Sequence, residues 1–311
     1  MNNQVTHSIM FHHFHDEIHL PAQGSLSSYD FIKMVDWLSK NYSLIGANDY
    51  ILKYENKTLK EKDICLSFDD ALKCQYDIAI PILKDYGIDA FFFVYSAVFS
   101  DEPDPLEIYR YFRTSMFENI DAFYDLFFKK VLNKNKSSYD AHNIIFNELD
   151  YLKELPYHSD NDRWFRYIRD QYLSSSDYDI FMAEMMAEMN FDVEAAKKNL
   201  WMTEEELKTL SSDGHLIGLH SYSHPTQINK LSKSQQLLEY TRNYEHLKSL
   251  LKKEPISMSH PCGLYNQDTL EILKSLGIKI GFCSSMKNIE FKSSLEIPRE
   301  NHANILKKMQ L

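Results

Sequence analysis

One strand–helix–strand segment limits the fold of this 311-residue chain more than any other feature. Asp63–Phe68 (DICLSF) and Ala90–Tyr95 (AFFFVY) are short apolar runs typical of buried strands. Residues 71–86 between them have a helical pattern that ends at Gly87, a residue typical of helix C-caps, and Pro81 should kink or interrupt this helix. Strand, helix and strand of these lengths predict a βαβ unit, and therefore parallel strands.

The rest of the chain repeats this alternation on both sides of a different segment. Further strands are predicted at His7–Phe11, Leu216–Leu219, Ile256–Ser259 and Lys279–Cys283. Such alternation favours an α/β barrel or a doubly wound sheet. Residues 100–199 instead show helical periodicity, with aromatic and methionine stripes that we expect to pack helices together. We therefore predict a barrel or doubly wound sheet made of residues 1–99 and 200–311, interrupted by a helical insertion.

Charge and apolar runs exclude several classes of partner. The net charge is -11, which disfavours nucleic acid or an anionic membrane surface as a partner. No segment approaches the roughly 20 apolar residues of a membrane span. The four cysteines form no CxxC pair, and residues 1–19 contain no Lys or Arg and only a short apolar run. The expected location is the cytoplasm.

Two polar motifs each follow a predicted strand. SFDDA contains Asp69 and Asp70, and HSYSHP contains His220 and His224. Barrel and open-sheet α/β enzymes place their active groups at the carboxyl ends of strands. One carboxylate and two imidazoles would provide three metal ligands and leave a position for water, as in catalytic zinc sites. The second carboxylate could then accept a proton from that water.

Three stretches resemble the polysaccharide deacetylases of carbohydrate esterase family 4. They are KDICLSFDDALKCQYDIAIPILKDYGIDAFFFV, MTEEELKTLSSDGHLIGLHSYSHP and SHPCGLYNQDTLEILKSLGIKIGF. The resemblance covers roughly residues 5–99 and 200–311 and leaves out the insertion. It implies a distorted (β/α) barrel and hydrolysis of an N-acetyl group with one divalent metal, usually Zn²⁺, with Co²⁺ or Ni²⁺ as alternatives.

The resemblance also implies a role for each motif residue. Asp69 would be the general base that activates a metal-bound water, and Asp70, His220 and His224 would be the metal ligands. The family has a histidine that protonates the leaving amine, and permuted relatives have the equivalent strand at the amino terminus. The sequence IMFHHFHD is similar to that strand, which makes His12 the first candidate for the acid. His13 is the second candidate, and His302 is a more distant one.

The third motif departs from the family at one position. The family usually has an arginine there that braces the base, whereas this chain has Ser259. Arg299, in IPRENH, is the candidate to replace it. The backbone N–H of Cys262 matches the position that helps to polarise the acyl carbonyl, a role that depends little on the side chain. His260 replaces an aromatic residue of the family.

These observations predict an enzyme that removes an acetyl or formyl group from an amino sugar or sugar nucleotide in surface-glycan biosynthesis. The two acyl groups differ by one methyl, a difference that no motif reports. The insertion could cap the active site, and Arg110 and Arg113 could then contact a phosphate or carboxylate.

Three alternatives remain open. His13 and His15 resemble the HxH motif of other metal-dependent barrels. The chain could also be a carbohydrate-binding module without activity on a decayed deacetylase fold, or an O-acyl sugar esterase.

Overall fold

The structure, a computed structural model, describes residues 6–100, 105–153, 159–286 and 293–309. The chain divides into two compact units. Unit 1 consists of Met1–Asp104 and Asn199–Leu311, and unit 2 consists of Pro105–Lys198. Within the described ranges, no helix is both long and apolar enough to cross a membrane.

Unit 1 is built around one parallel sheet whose edges nearly meet. In chain order its strands are β1 His7–Phe11, β4 Ser43–Leu44, β5 Asp63–Asp69, β6 Phe91–Val94, β7 Leu216–Leu219, β8 Ser257–Ser259, β9 Ile280–Phe282 and β10 Arg299–Asn301, while β2 Phe14–His15 and β3 Leu26–Ser27 form a separate pair. The main path is β10-β1-β5-β6-β7-β8-β9, and β4 also pairs with β5. A parallel bridge between Phe282 and Ile297 links β9 to the segment that leads into β10. The predicted barrel is therefore confirmed.

The helices of unit 1 surround this sheet. They are α1 Ser28–Asn41, α2 Ala47–Glu55, α3 Ile80–Tyr86, α10 Glu204–Ser212, α11 Lys233–Leu251, α12 Gln267–Ser275 and α13 His302–Met309, with α9 Val193–Leu200 at the boundary between the units. On the outer face of the sheet, Phe11 and Phe68 pack against Phe31 of α1. Inside, Tyr50 of α2 packs with Cys65, Phe91 and Phe282 at the end where β1 begins. The polar motifs with Asp69 and His220 lie at the other end of the barrel, where β5 and β7 end.

Unit 2 contains only helices among its described residues. They are α4 Pro105–Ser115, α5 Ile120–Lys134, α6 Lys136–Glu148, α7 Asp160–Tyr167 and α8 Ser175–Glu188, together with a π-helical turn, Ile168–Tyr172, and the first part of α9. Its aromatic side chains form a buried core in which Phe112, Phe123, Phe127 and Phe165 are fully inaccessible. The aromatic stripes of the sequence thus pack helices together, as expected from their spacing.

Two local features depart from the simplest sequence interpretation. The predicted helix 71–86 begins as a π turn, Gln75–Ala79, and becomes α-helical at Ile80, with Pro81 in the first turn and Gly87 as a left-handed C-cap. A proline ring clashes with the carbonyl four residues earlier, here Asp77, so a wider turn before Pro81 relieves the clash. The second feature is β10, which no apolar run predicted.

Candidate active site

Three predicted metal ligands converge at the carboxyl ends of β5 and β7. The ligand atoms of Asp70, His220 and His224 all lie within 4.8 Å of one another, and all three side chains are buried. Nε2 of His220 lies 3.4 Å from Oδ1 of Asp70, and Nε2 of His224 lies 3.7 Å from the same oxygen. Among the described residues, this is the one group of three or more such side chains placed to hold a metal ion.

Hydrogen bonds fix the orientation of His220. Its Nδ1 donates to the carbonyl oxygen of Ser259 at 2.8 Å, because a carbonyl can only accept. This bond holds a proton on Nδ1 and leaves Nε2 directed at Asp70, which is the orientation of metal-ligating histidines. The backbone N–H of His220 donates to Asn243 at 3.0 Å, and Asn243 also bonds Ser96 at 2.7 Å.

The fit of a divalent metal can be tested on Asp70 itself. Its Oδ1 is buried and has no hydrogen-bond partner, an arrangement that is costly unless a cation satisfies the oxygen. The backbone here is also strained, since φ is +77° at Asp70, +53° at Ala71 and +54° at His224. Left-handed conformations are uncommon for such residues and concentrate at functional sites. One carboxylate oxygen and two imidazole nitrogens are donors that suit a divalent cation of intermediate softness.

Asp69 is held by a buried arginine from the missed strand β10. Nη1 and Nη2 of Arg299 donate to Oδ1 and Oδ2 of Asp69, both at 2.7 Å, and the arginine side chain is fully inaccessible. Nη2 also donates to Oγ of Ser259 at 2.6 Å, and Ser259 contacts Asp69 at 3.3 Å. The structure thus places Arg299, the candidate replacement, on the carboxylate.

The electrostatics of the pair follow from this geometry. Burial raises the pKa of Asp69, but the positive charge of Arg299, followed by that of His220, outweighs burial and leaves the pKa below its ordinary value. Asp69 is therefore ionised at neutral pH. The pKa of Asp70 is also lowered: burial raises it, and the neighbouring His220 and His224 lower it further than burial raises it.

Of the early histidines, the structure brings His12 to the two acids. Its Nε2 lies 3.8 Å from Oδ2 of Asp69 and 3.9 Å from Oδ2 of Asp70, and its side chain is 29% exposed. The ring of His13 stacks on His12, with centroids 6.2 Å apart. His15 instead bonds Ser25 at 2.8 Å, so the HxH pair is not part of the three-ligand group.

The remaining candidates lie around this centre. Cys262 is in the turn that follows β8, where its side chain is exposed and its φ is +53°. His302 is buried on Phe11, and its two ring nitrogens contact the carbonyl oxygens of Met10 and Gly24. His260 is buried, bonds the carbonyl of Leu295 at 2.8 Å and stacks on Tyr265.

Sequence patterns did not identify two residues that support the site. Asn243 lies on α11 and Gln75 lies in the π turn, where each appeared to belong to an ordinary polar helix face. A buried amide near a strand end would have been the signal, but burial of a single polar residue is not visible in one sequence.

The sequence profile of the family described as polysaccharide deacetylase matches residues 56–111 and 178–281, together just over half of the chain. No curated protein sequence matches the chain.

Several solved structures are similar in fold. The Streptococcus pyogenes deacetylase PplD in complex with acetate is 16% identical, with a TM-score of 0.56 over 98% of this chain and 97% of that one. IcaB from Ammonifex degensii is 15% identical, with a TM-score of 0.55 over 95% of this chain and 91% of that one. A de-N-acetylase from Aggregatibacter actinomycetemcomitans gives 15% identity and a TM-score of 0.55 over 94% of this chain and 93% of that one. With the profile match to more than half of its residues, the chain belongs to the polysaccharide deacetylase family.

Proposed function

We propose that this carbohydrate deacetylase is metal-dependent and removes an N-acyl group, acetyl or formyl, from an amino sugar or sugar nucleotide in surface-glycan biosynthesis. The observation that supports the proposal best is the convergence of Asp70, His220 and His224 beside the Asp69–Arg299 pair. Three ligand side chains and a separate ionised carboxylate are what hydrolysis of an amide by activated water requires.

Asp70, His220 and His224 would hold the metal, with Zn²⁺ as the preferred ion and Co²⁺ or Ni²⁺ as alternatives. When bound, a divalent ion lowers the pKa of water and polarises the acyl oxygen. Asp69 is not needed as a ligand in this arrangement. Its two oxygens are held by Arg299, which keeps the carboxylate ionised and directed toward the ligands.

The chemical step then divides between Asp69 and His12. Asp69 accepts a proton from the attacking water as the oxygen of that water forms a bond to the acyl carbon. His12, or His13 as the second candidate, gives a proton to the sugar nitrogen as the carbon–nitrogen bond breaks. The products are a carboxylic acid and a free amino sugar. We assign stabilisation of the oxyanion in part to the backbone N–H of Cys262.

The test is turnover by the purified protein with its metal content measured in parallel. N-acetyl and N-formyl amino sugars, free and nucleotide-linked, are incubated with the protein, and mass spectrometry follows loss of one acetyl or formyl group. Chelation should abolish turnover and Zn²⁺ should restore it. Asp69→Asn is the matched negative control, because it should keep the metal.

The other candidate functions give different results in the same assay. Release of acyl groups from O-acyl sugars alone would identify an esterase. Binding of the sugars without turnover under Zn²⁺, Co²⁺ and Ni²⁺ would identify a carbohydrate-binding module. If replacing His13 and His15 with alanine removes the metal, these two histidines are the ligands, as in other metal-dependent barrels, and the ligands proposed here are wrong.

A further inference from the structure

Gln75 lies beneath the two proposed proton-transfer residues and contacts the backbone of both. Its side chain is fully buried in the π turn that follows β5. The side-chain Nε2 donates to the carbonyl oxygen of Asp69 at 2.6 Å and to that of His12 at 2.8 Å. One amide group therefore joins the carboxyl ends of β5 and β1.

The orientation of this amide follows from its partners. Two carbonyl oxygens can only accept, so the NH₂ group must face them, and its two hydrogens serve one carbonyl each. On the other side of the same peptide bond, the N–H of Asp70 donates to the carbonyl of Phe93 at 3.0 Å. The peptide between Asp69 and Asp70 is thus held from both sides, although φ at Asp70 is +77°.

The local sequence explains why Gln75 points inward. The backbone N–H of Ile80 bonds to the carbonyl of Gln75, five residues earlier, which is the π-helical pattern. This wide turn precedes Pro81, whose ring cannot pack against a regular α-helical carbonyl of Asp77. Single π turns of this kind are frequent at functional sites. Here the turn places an amide side chain below the acids.

We infer that Gln75 is a positioning residue that fixes His12 relative to Asp69 so that the leaving nitrogen can be protonated. This inference rests on the proposed function. Asp69 and Asp70 have other supports, namely Arg299 and the backbone of Phe93. Among the hydrogen bonds of the described residues, the backbone carbonyl of His12 is held by Gln75. Loss of the amide should therefore affect His12 most.

The test uses substrates that differ in their need for an acid. Amine departure from an N-acetyl amino sugar requires protonation, whereas the phenolate of an aryl acetate ester leaves without it. Gln75→Met keeps the length of the side chain and removes both hydrogen bonds. We expect kcat on the N-acetyl sugar to fall by a factor of about 10 to 100, as for a small displacement of a catalytic group. KM, metal content and kcat on the aryl ester should stay within about threefold of the unsubstituted protein.

Gln236→Met is the matched control. Gln236 is also fully buried and donates to a backbone carbonyl, that of Leu231 at 2.9 Å, but it lies on α11 and contacts neither acid. Its replacement should lower stability without changing the ratio of the two activities. In a His12→Ala background, Gln75→Met should lower amide turnover little further, because residues that act through one another are not additive.

Equal losses on the two substrates, unchanged amide turnover, or full additivity with His12→Ala would each overturn the role of Gln75. These results require an unsubstituted protein that hydrolyses the amide. If that protein hydrolyses only the ester, the proposed function itself fails, and the inference fails with it.

Discussion

At the scale of single residues, the site depends on a buried ion pair. Asp69 and Arg299 are 2% and 1% exposed, and each satisfies the other through two hydrogen bonds. A buried charge without its partner is costly, so each residue constrains what can replace the other. Ser259 stands at the position where the family usually has an arginine. The chain tolerates this serine because Arg299 of β10 provides the guanidinium group instead.

Replacing Arg299 with methionine should lower both stability and turnover. The change leaves the carboxylate of Asp69 buried and unpaired, which typically costs about 3–5 kcal/mol of unfolding free energy. The double variant Asp69→Asn with Arg299→Met removes that charge and should be more stable than Arg299→Met alone. Urea unfolding of both variants measures this. An Arg299→Met protein as stable as the unsubstituted chain would show that the pair is not desolvated as described.

The site residues most readily predicted from sequence belong to motifs with two polar groups, whereas Arg299 is indicated only because this chain lacks the arginine usual in the family it resembles. Asp69, Asp70, His220 and His224 stand in pairs directly after apolar strands. Gln75 and Asn243 stand alone on helices and act through hydrogen bonds formed only in the folded chain. No local pattern indicates such contacts, because most of them join segments far apart in sequence, as Gln75 joins His12 and Asn243 joins Val94.

At the scale of elements, the buried strands were predictable and the closing strand was not. β1 and β7 have the predicted bounds, His7–Phe11 and Leu216–Leu219, because apolar residues predominate in both. β10 has the sequence REN, and its inward residue is polar because it pairs with Asp69. Its partners lie near the other end of the chain, in β1. Only the tertiary fold makes this segment a strand.

Gly218 allows β7 to lie close to its neighbouring strands. A Cβ at this position of β7 would lie 2.6 Å from the carbonyl of Ser257 and 2.8 Å from the ring of Phe93. Gly218→Ala should therefore separate the strands, lower stability by about 1–3 kcal/mol and weaken metal binding at His220, two residues later. Unfolding and metal titration measure the two effects.

Gly87→Ala serves as the comparison. Gly87 caps α3 with φ of +63°, and a Cβ added there would meet open space. The change should therefore lower the unfolding free energy by about 1 kcal/mol, through backbone strain, and leave metal binding unchanged. Equal metal affinity in the Gly218 and Gly87 variants would contradict the close strand contact.

At the scale of the whole molecule, buried neutral histidines should make stability depend on pH. Burial, followed by the charge of His12, lowers the pKa of His302 to about 4, and burial lowers that of His260 to about 4. Both values lie below the ordinary value of 6.5. The unfolded chain therefore binds more protons between these values, and stability falls as pH decreases from about 6.5 toward 4.

His302→Gln tests this effect, because an amide does not titrate. Between pH 7 and pH 5 the unsubstituted protein should lose about 2 kcal/mol more unfolding free energy than the variant. Urea unfolding at the two pH values gives the difference directly. The same loss in both proteins would mean that His302 is not held neutral.

The helical insertion contributes about a third of the chain, and its role can be tested separately from the metal ligands. Pro105–Lys198 forms a compact unit of its own. A role for residues 100–199 as a cap of the active site is a proposal from the sequence, which deletion of the insertion tests. Replacing it with a short linker should abolish turnover of a small N-acyl sugar while the metal stays bound. Full turnover by the shortened protein would contradict the cap.

In the proposed mechanism Asp69 accepts the proton of the attacking water, whereas Asp70 binds the metal. One paired measurement tests this assignment. Metal content and turnover are determined for Asp69→Asn and Asp70→Asn, prepared in parallel. Asp69→Asn should keep its metal and lose turnover by a factor on the order of 10² to 10⁴, the usual effect of losing a general base. Asp70→Asn should lose both together, with partial recovery on added Zn²⁺, because an anionic ligand is weakened. Metal loss in Asp69→Asn with metal retained in Asp70→Asn would reverse the assignment, and a fully active Asp69→Asn would contradict the mechanism.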